Sequence, residues 1–209
     1  MYMTRILLKR LPTPNIVHGV ISAAFPGKRS ETANESLWRI DNFGDIRVLL
    51  IVSAGMPDLE LLVNKIGVDS KNPFSGDETD KFEKTINYEP FLKKIEDSQV
   101  WNFRLCANPV EHKKQDDSEK RGKIYALRSV EEQIGWLDRQ GEKNGFKTKG
   151  SNVVNDSWIA FGKIRIRSVT FDGILTVNNA GDFRSALTNG IGRGKAYGCG
   201  LLTVAKPQA

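Results

Sequence analysis

Histidine and cysteine are scarce in this sequence, with two of each in 209 residues. Cys106 and Cys199 lie far apart and lack the paired spacing of a metal site. They read as reduced thiols, and no disulfide is expected. No His/Cys set and no carboxylate cluster suited to a metal is visible, so neither a metal nor a cofactor is expected. Long apolar runs are missing too: none approaches the ~20 residues needed to span a bilayer. The opening Met1-Tyr2-Met3-Thr4-Arg5 has no secretory apolar stretch with a small-residue cleavage site. The expectation is a cytoplasmic protein without membrane attachment.

What is abundant is positive charge, and it is unevenly placed. The net charge is +6. Residues 1–97 carry 13 Lys+Arg against 14 Asp+Glu, whereas residues 98–209 carry 18 against 11. A basic second half favours a polyanionic partner for that half.

Glycine is concentrated near the C-terminus, in Asn189-Gly190-Ile191-Gly192-Arg193-Gly194-Lys195-Ala196-Tyr197-Gly198-Cys199-Gly200-Leu201-Leu202. Glycine permits φ > 0 and close backbone approach. Successive N–H groups in such a loop can line an anion site, and Arg193 and Lys195 add charge that favours phosphate. The loop follows a helical stretch, Asp182 to Thr188, and leads into a strand, Leu201 to Ala205. Dinucleotide fingerprints and P-loops need the opposite order, strand–loop–helix. A longer phosphate polymer is the better ligand for Gly190, Gly192, Arg193, Gly194, Lys195, Gly198 and Gly200.

Taken in order, the chain alternates strands and helices. Met1 to Lys9 reads as a strand broken by Leu11-Pro12-Thr13-Pro14. Thr13 is the expected N-cap of a helix with Pro14 at its first position. Ile16, Val17, Val20, Ile21 and Ala24 make its apolar face, which leaves His18 beside that face. Two strands, Ser36–Ile40 and Arg47–Val52, flank an Asp-Asn-Phe-Gly-Asp turn. A helix over Leu59–Ile66 and a strand over Lys84–Tyr88 follow. The order strand, helix, strand, strand, helix, strand then recurs: Gln99–Leu105, Val130–Asn144, Ser157–Phe161, Ile164–Val177, Asp182–Thr188 and Leu201–Ala205. In this second half Ile134 and Leu137 are expected inward, Asp172-Gly173 marks a bulge or bend, and Asn108–Lys123 reads as a charged loop. The fold class is therefore α+β, with two tandem split-βαβ (ferredoxin-like, RRM-like) domains over residues 1–95 and 98–209.

Lys163, Arg165 and Arg167 alternate with Ile164, Ile166 and Ser168. Alternation puts the three cations on one face of a strand. Like charges at that spacing repel unless anions lie between them, and phosphate is a natural occupant. A solvated sheet face is the plain alternative.

These blocks together resemble the CasE-type precursor-CRISPR-RNA endoribonucleases of type I-E systems. The resemblance runs from the Met-Tyr start and the helix of His18 through Phe103-Arg104-Leu105, Ala107-Asn108-Pro109, Glu132-Gln133-Ile134, Trp136-Leu137 and Phe171-Asp172-Gly173-Ile174-Leu175-Thr176 to the terminal glycine-rich block. It implies cleavage of CRISPR repeat RNA beside its stem-loop, retention of the product and assembly with other Cascade subunits. It also implies that His18 is catalytic, and that the glycine-rich loop and the basic strand meet the RNA. Some members carry a tyrosine one turn before the histidine, near Asn15 here, so a tyrosine partner is not expected at that place. The implied chemistry is attack of a 2′-hydroxyl on the adjacent phosphorus without a metal. It leaves a 2′,3′-cyclic phosphate and a 5′-hydroxyl, with His18 as base or acid. The competing expectation is a non-catalytic RNA-binding module of the same fold.

Overall fold

The computed structural model describes residues 1–9, 12–25, 36–77, 79–113, 123–161 and 164–207. The chain divides into two units, Met1–Ile95 with Lys195–Leu201, and Glu96–Gly194 with Leu202–Ala209. Residues 98–209, expected to stay together, thus lend the second part of their glycine-rich stretch to the first unit.

The first unit contains β1 (Tyr2–Leu7), α1 (Pro14–Ala23), β2 (Leu37–Phe43), β3 (Ile46–Ser53), α2 (Leu59–Ile66), β4 (Lys84–Asn87) and the short α3 (Glu89–Leu92). Its sheet has the order β2-β3-β1-β4, with all neighbours antiparallel. Strands β1 and β2 are therefore parallel with β3 between them, which is the split-βαβ arrangement. The β2–β3 turn is tighter than the five-residue stretch suggests. Gly44, at φ +61, takes the left-handed conformation, and Asp41–Phe43 join the strand.

Helix α1 starts at Pro14, whose missing N–H is harmless in a first turn. Thr13 has the extended backbone of an N-cap, but its side chain makes no capping hydrogen bond. Asp58 does cap α2, accepting from Leu61 N at 2.9 Å. Val17 and Ile21 of α1 pack with Leu62 and Ile66 of α2 on Ile6, Trp38, Leu49 and Ile51. Burying each such large side chain contributes roughly 1.5–3 kcal/mol. Ile16, expected in this stripe, is 51% exposed, because the sheet accepts only the narrower face centred on Val17, Ile21 and Ala24.

The second unit contains β5 (Val100–Ala107), β6 (Val110–Lys113), β7 (Lys123–Ala126), α4 (Val130–Lys143), β8 (Phe146–Phe161), β9 (Ile164–Val177), α5 (Ala180–Asn189) and β10 (Leu202–Ala205). Its main sheet, β10-β5-β9-β8, repeats the first topology, and both units are ferredoxin-like. Strands β6 and β7 pair separately, so the ends of the expected charged loop are a two-stranded ribbon. A capping box between Ser129 and Glu132 starts α4, satisfying two orphan N–H groups. Its inward face is Gln133, Trp136, Leu137 and Gly141; Ile134 is only half-buried. Trp136 stacks on Phe171 and Phe146 meets Phe183 edge-on.

Strand β8 begins eleven residues before the expected Ser157, because its first half pairs with β9 while turning through two bulges. The expected bulge at Asp172-Gly173 lies across from them instead. Gly150 and Ser151 together oppose Gly173, between the pairs Lys149↔Ile174 and Asn152↔Asp172. A Cβ on Gly173 would lie 2.9 Å from Gly150 O, so the crowding of a bulged partner explains this glycine. No helix among the described residues is long and apolar enough to cross a membrane.

One buried ion pair secures the returning chain. Arg39, 2% exposed, donates from Nε and Nη2 to the two carboxylate oxygens of Asp41, each at 2.8 Å. Its Nη1 donates to Leu201 O at 2.9 Å. Asp41→Ala leaves a buried guanidinium without its carboxylate, which costs about 3–5 kcal/mol. Chemical denaturation of the full chain checks this: a loss below about 1 kcal/mol indicates that the pair behaves as a surface contact.

Candidate nucleic-acid interface

In the first unit the site is built on α1. His18 is half-buried on the flank of the helix, neither in the core nor free of it. Its backbone carbonyl accepts from Ser22 Oγ at 2.8 Å, which ties the next turn to it. A single 3-10 turn, Lys195–Tyr197, packs against both α1 and β2. Lys195 thereby stands beside the helix that carries His18, and it makes no ion pair among the described residues.

Gly198 and Gly200 explain how the chain can run there. Gly198 has φ +82, and a Cβ on it would lie 2.7 Å from the ring of Trp38. Two residues of β2, Trp38 and Arg39, face opposite sides of the strand by alternation. Gly198 lies on the first and Leu201 O is held by the second, so residues 198–201 wrap the edge of β2. Gly200, at φ +97, permits the bend between those holds.

The second unit carries the other sequence-derived candidates. Gly190 closes α5 at φ 73, and Gly192 and Gly194 also have positive φ. Gly192 backs onto the Trp136 ring, where a Cβ would come within 3.0 Å. Between them Arg193 is exposed and forms an isolated antiparallel bridge with Asn108. The glycine-rich stretch is therefore two local structures. Gly190, Gly192, Arg193 and Gly194 belong to the second unit; Lys195, Gly198 and Gly200 belong to the first.

Arg165 and Arg167 do share a face of β9, as alternation requires. Both guanidinium groups lie over the ring of Trp158, at 5.5 and 5.6 Å from its centroid. Trp158 is 45% exposed, and cation–π attraction offsets part of the repulsion between the two arginines. Lys163 lies outside the described residues. The cations are not equivalent. Arg167 donates to both oxygens of Asp156, from Nε at 2.6 Å and Nη2 at 2.5 Å. Asp156 also accepts from Gln133 Nε2 of α4 at 3.0 Å. Arg165 makes no ion pair among the described residues and is the open charge of this face.

Asp156, Trp158 and Gln133 are missing from the sequence-derived set. Trp158 had a readable signal: it lies two residues beyond Asp156, on the same face of the strand. Pairing those residues with Arg165 and Arg167 required the register of β8 on β9, which the sequence does not supply. Among the described residues no group of three or more His, Cys, Asp or Glu side chains is placed to hold a metal ion.

Hydrogen bonds from Arg167, and secondarily from Gln133, hold the Asp156 carboxyl below its usual pKa. A group with a depressed folded pKa adds stability above its unfolded pKa, and that stability is lost as pH falls through the folded value. Thermal unfolding between pH 5 and pH 2.5 should thus show an acid-labile increment that Asp156→Asn lacks; parallel curves would show that the pair does not couple to folding. A second comparison concerns the strap. Gly44→Ala meets open space at φ +61, whereas Gly198→Ala meets both φ +82 and the Trp38 ring. Gly198→Ala should lower stability by at least about 1–2 kcal/mol more, and equal losses in the two variants would show that Trp38 yields freely.

Comparison with known proteins agrees with this architecture. The family model described as CRISPR associated protein matches residues 1–206. The CRISPR-associated endoribonuclease Cse3 of Thermus thermophilus is 25% identical over 231 residues, covering 98% of this chain and 100% of that protein. The CRISPR system Cascade subunit CasE of Escherichia coli is 34% identical over 114 residues, covering 49% of this chain and 56% of that protein. The solved structure of Thermus thermophilus Cse3 bound to an RNA representing a pre-cleavage complex has the same fold, with a TM-score of 0.76 at 24% identity over 98% of both chains. That of Cas6e from Escherichia coli K-12 gives 0.68 at 24% identity, over 99% of this chain and 100% of the other. With two split-βαβ units and a family match over residues 1–206, this chain belongs to the CRISPR-associated protein family and is of its CasE/Cse3 type.

Proposed function

We propose that this chain is an endoribonuclease that cleaves precursor CRISPR RNA beside the repeat stem-loop, keeps the product RNA and works within a Cascade complex. The observation that carries this is local to the first unit: the turn bearing Lys195 packs on the helix bearing His18. A histidine and a lysine are thus carried on two elements that pack on each other within one unit. The names of the relatives, an endoribonuclease and a Cascade subunit, support the same reading.

The chemistry assigned to these residues is proton transfer and charge stabilisation. The 2′-hydroxyl of the nucleotide before the cut attacks phosphorus, and the 5′-oxygen of the next nucleotide leaves. His18 moves one of the two protons, a contribution of roughly 10²–10⁴-fold. Lys195 offsets charge on the phosphoryl oxygens. In-line geometry comes from holding the stem, and orientation of this kind lowers the barrier further. Arg165, Arg167, Arg193 and the Gly190–Gly194 backbone are the proposed grip. Duplex RNA is held chiefly by shape and backbone contacts, so these groups fit a phosphate-tracking role.

His18→Ala should bind hairpin repeat RNA nearly as well as the unaltered chain yet cleave it about 10²-fold more slowly or worse in single-turnover assays. Unaltered cleavage would remove His18 from the mechanism. Absence of cleavage by the natural sequence, with binding intact, would favour a non-catalytic RNA-binding module. Cleavage should also continue in EDTA at moderate monovalent salt; complete loss, restored by a divalent ion without a change in RNA folding, would contradict the metal-free route.

A further inference from the structure

Two phenylalanines of the first unit stay exposed side by side. Phe43, at the end of β2, is 46% exposed, and Phe74 is 55% exposed. Their rings meet edge-on, with 5.6 Å between centroids and 74° between planes. Phe74 also leans on Phe82, 5.7 Å away, and Phe82 is buried with Leu7 and Val48. Three rings thus run from the core to the surface. Single exposed apolar residues are ordinary, whereas contiguous ones mark sites of association.

The loop that carries Phe74 is built to hold it there. An antiparallel bridge between Lys71 and Lys81 closes the loop. Inside it, Asn72 N donates to Asp80 O at 2.9 Å, and Asn72 Nδ2 donates to Asp80 Oδ2 at 2.7 Å. Asn72 Oδ1 accepts from Phe74 N at 3.0 Å. Asp77 Oδ1 accepts from Thr79 N and from Thr79 Oγ1, at 2.8 and 2.7 Å. These bonds set the loop before a partner arrives, so association has little ordering left to do.

Charge decides what the patch can receive. Asp45 lies just beyond Phe43 in the chain and Asp77 just beyond Phe74, and both are exposed. In the two segments together Asp45, Asp69, Asp77 and Asp80 outnumber Arg47, Lys71 and Lys81, and Lys81 is already paired with Asp69 at 3.1 Å. A phosphate polymer needs the opposite balance. A second copy of this chain is a poor fit as well, because a two-fold interface sets the same patch, with its excess of carboxylates, against itself. A polypeptide with apolar side chains flanked by Lys or Arg matches both the rings and the charge.

We propose that the Phe43–Phe74 patch docks this chain onto another protein subunit of its complex, one that presents apolar side chains beside Lys or Arg. This rests on the Cascade reading above and adds to it a surface outside the proposed RNA grip. Aromatic anchors of this kind carry a large share of an interface's energy.

The RNA could tether the chain to the complex by itself, so the test removes that tether. The remaining Cascade subunits are assembled on a guide RNA with or without the repeat stem-loop, and the affinity of the added chain is measured for each. The unaltered chain should bind the stem-less assembly. Phe43→Ala with Phe74→Ala should weaken that binding about tenfold or more. Asp45→Lys, in an exposed turn and with both rings kept, should weaken it a few-fold. All these proteins should cleave hairpin repeat RNA at the same rate, which also shows that they are folded. Unchanged affinity of either variant overturns the proposal, as does an equal loss of hairpin binding by the isolated phenylalanine variant, which would make RNA the occupant. A dimer of the isolated chain that the phenylalanine variant dissolves would make the occupant a second copy. Binding of the unaltered chain only when the stem-loop is present overturns the docking surface alone. Failure to bind either assembly overturns it together with the Cascade reading.

Discussion

The guanidinium of Arg39 is the hinge of this architecture. It is buried, forked onto Asp41, and holds the carbonyl of Leu201 with its remaining nitrogen. Desolvating two charges is expensive, and a buried pair is weak evidence for stability in itself. Its effect here is on where the chain goes. Strand β2 is an edge of its sheet, and an edge presents unpaired backbone. The strap of residues 198–201 wraps that edge, fixed by Trp38 on one face and Arg39 on the other. The turn bearing Lys195, which packs on α1, leads directly into this strap.

That dependence gives the glycines distinct tasks. Gly198 leaves room for an indole, Gly200 bends the strap, and Gly192 and Gly194 turn the chain around an exposed arginine. A run that reads as one phosphate-binding loop is therefore a routed segment with two destinations. In the proposed function, phosphate binding falls to side chains of this segment, the exposed Arg193 and the half-buried Lys195 among them.

The order of elements was legible because hydrophobic alternation, helical periodicity and turn residues are local properties. Both split-βαβ repeats could be read from them, including the exact span of α2. Boundaries failed where tertiary pairing overrides local pattern. The first half of β8 is polar and carries Gly150, so it shows little strand character until β9 is beside it. Ile16 belongs to an apolar stripe in sequence, yet the sheet is too narrow to cover it. Alternation put Arg165 and Arg167 on one face, but neither Asp156 nor Trp158 could be placed opposite them without the register. His112 sits in a charged stretch, and its apposition to Arg193 spans 81 residues. The position of His18 beside its apolar face was legible; what stands next to α1 was not.

The proton-transfer role proposed for His18 and the charge-stabilising role proposed for Lys195 both presuppose that the RNA supplies its own nucleophile. The most direct measurement replaces that nucleophile. A hairpin repeat RNA with one 2′-deoxy sugar just upstream of the cut is compared with the all-ribose RNA under single-turnover conditions, and the product ends are identified. Attack by the 2′-hydroxyl predicts that the deoxy RNA is bound but uncut, while the ribose RNA yields a 2′,3′-cyclic phosphate and a 5′-hydroxyl. Cleavage of the deoxy RNA at the same bond would contradict it.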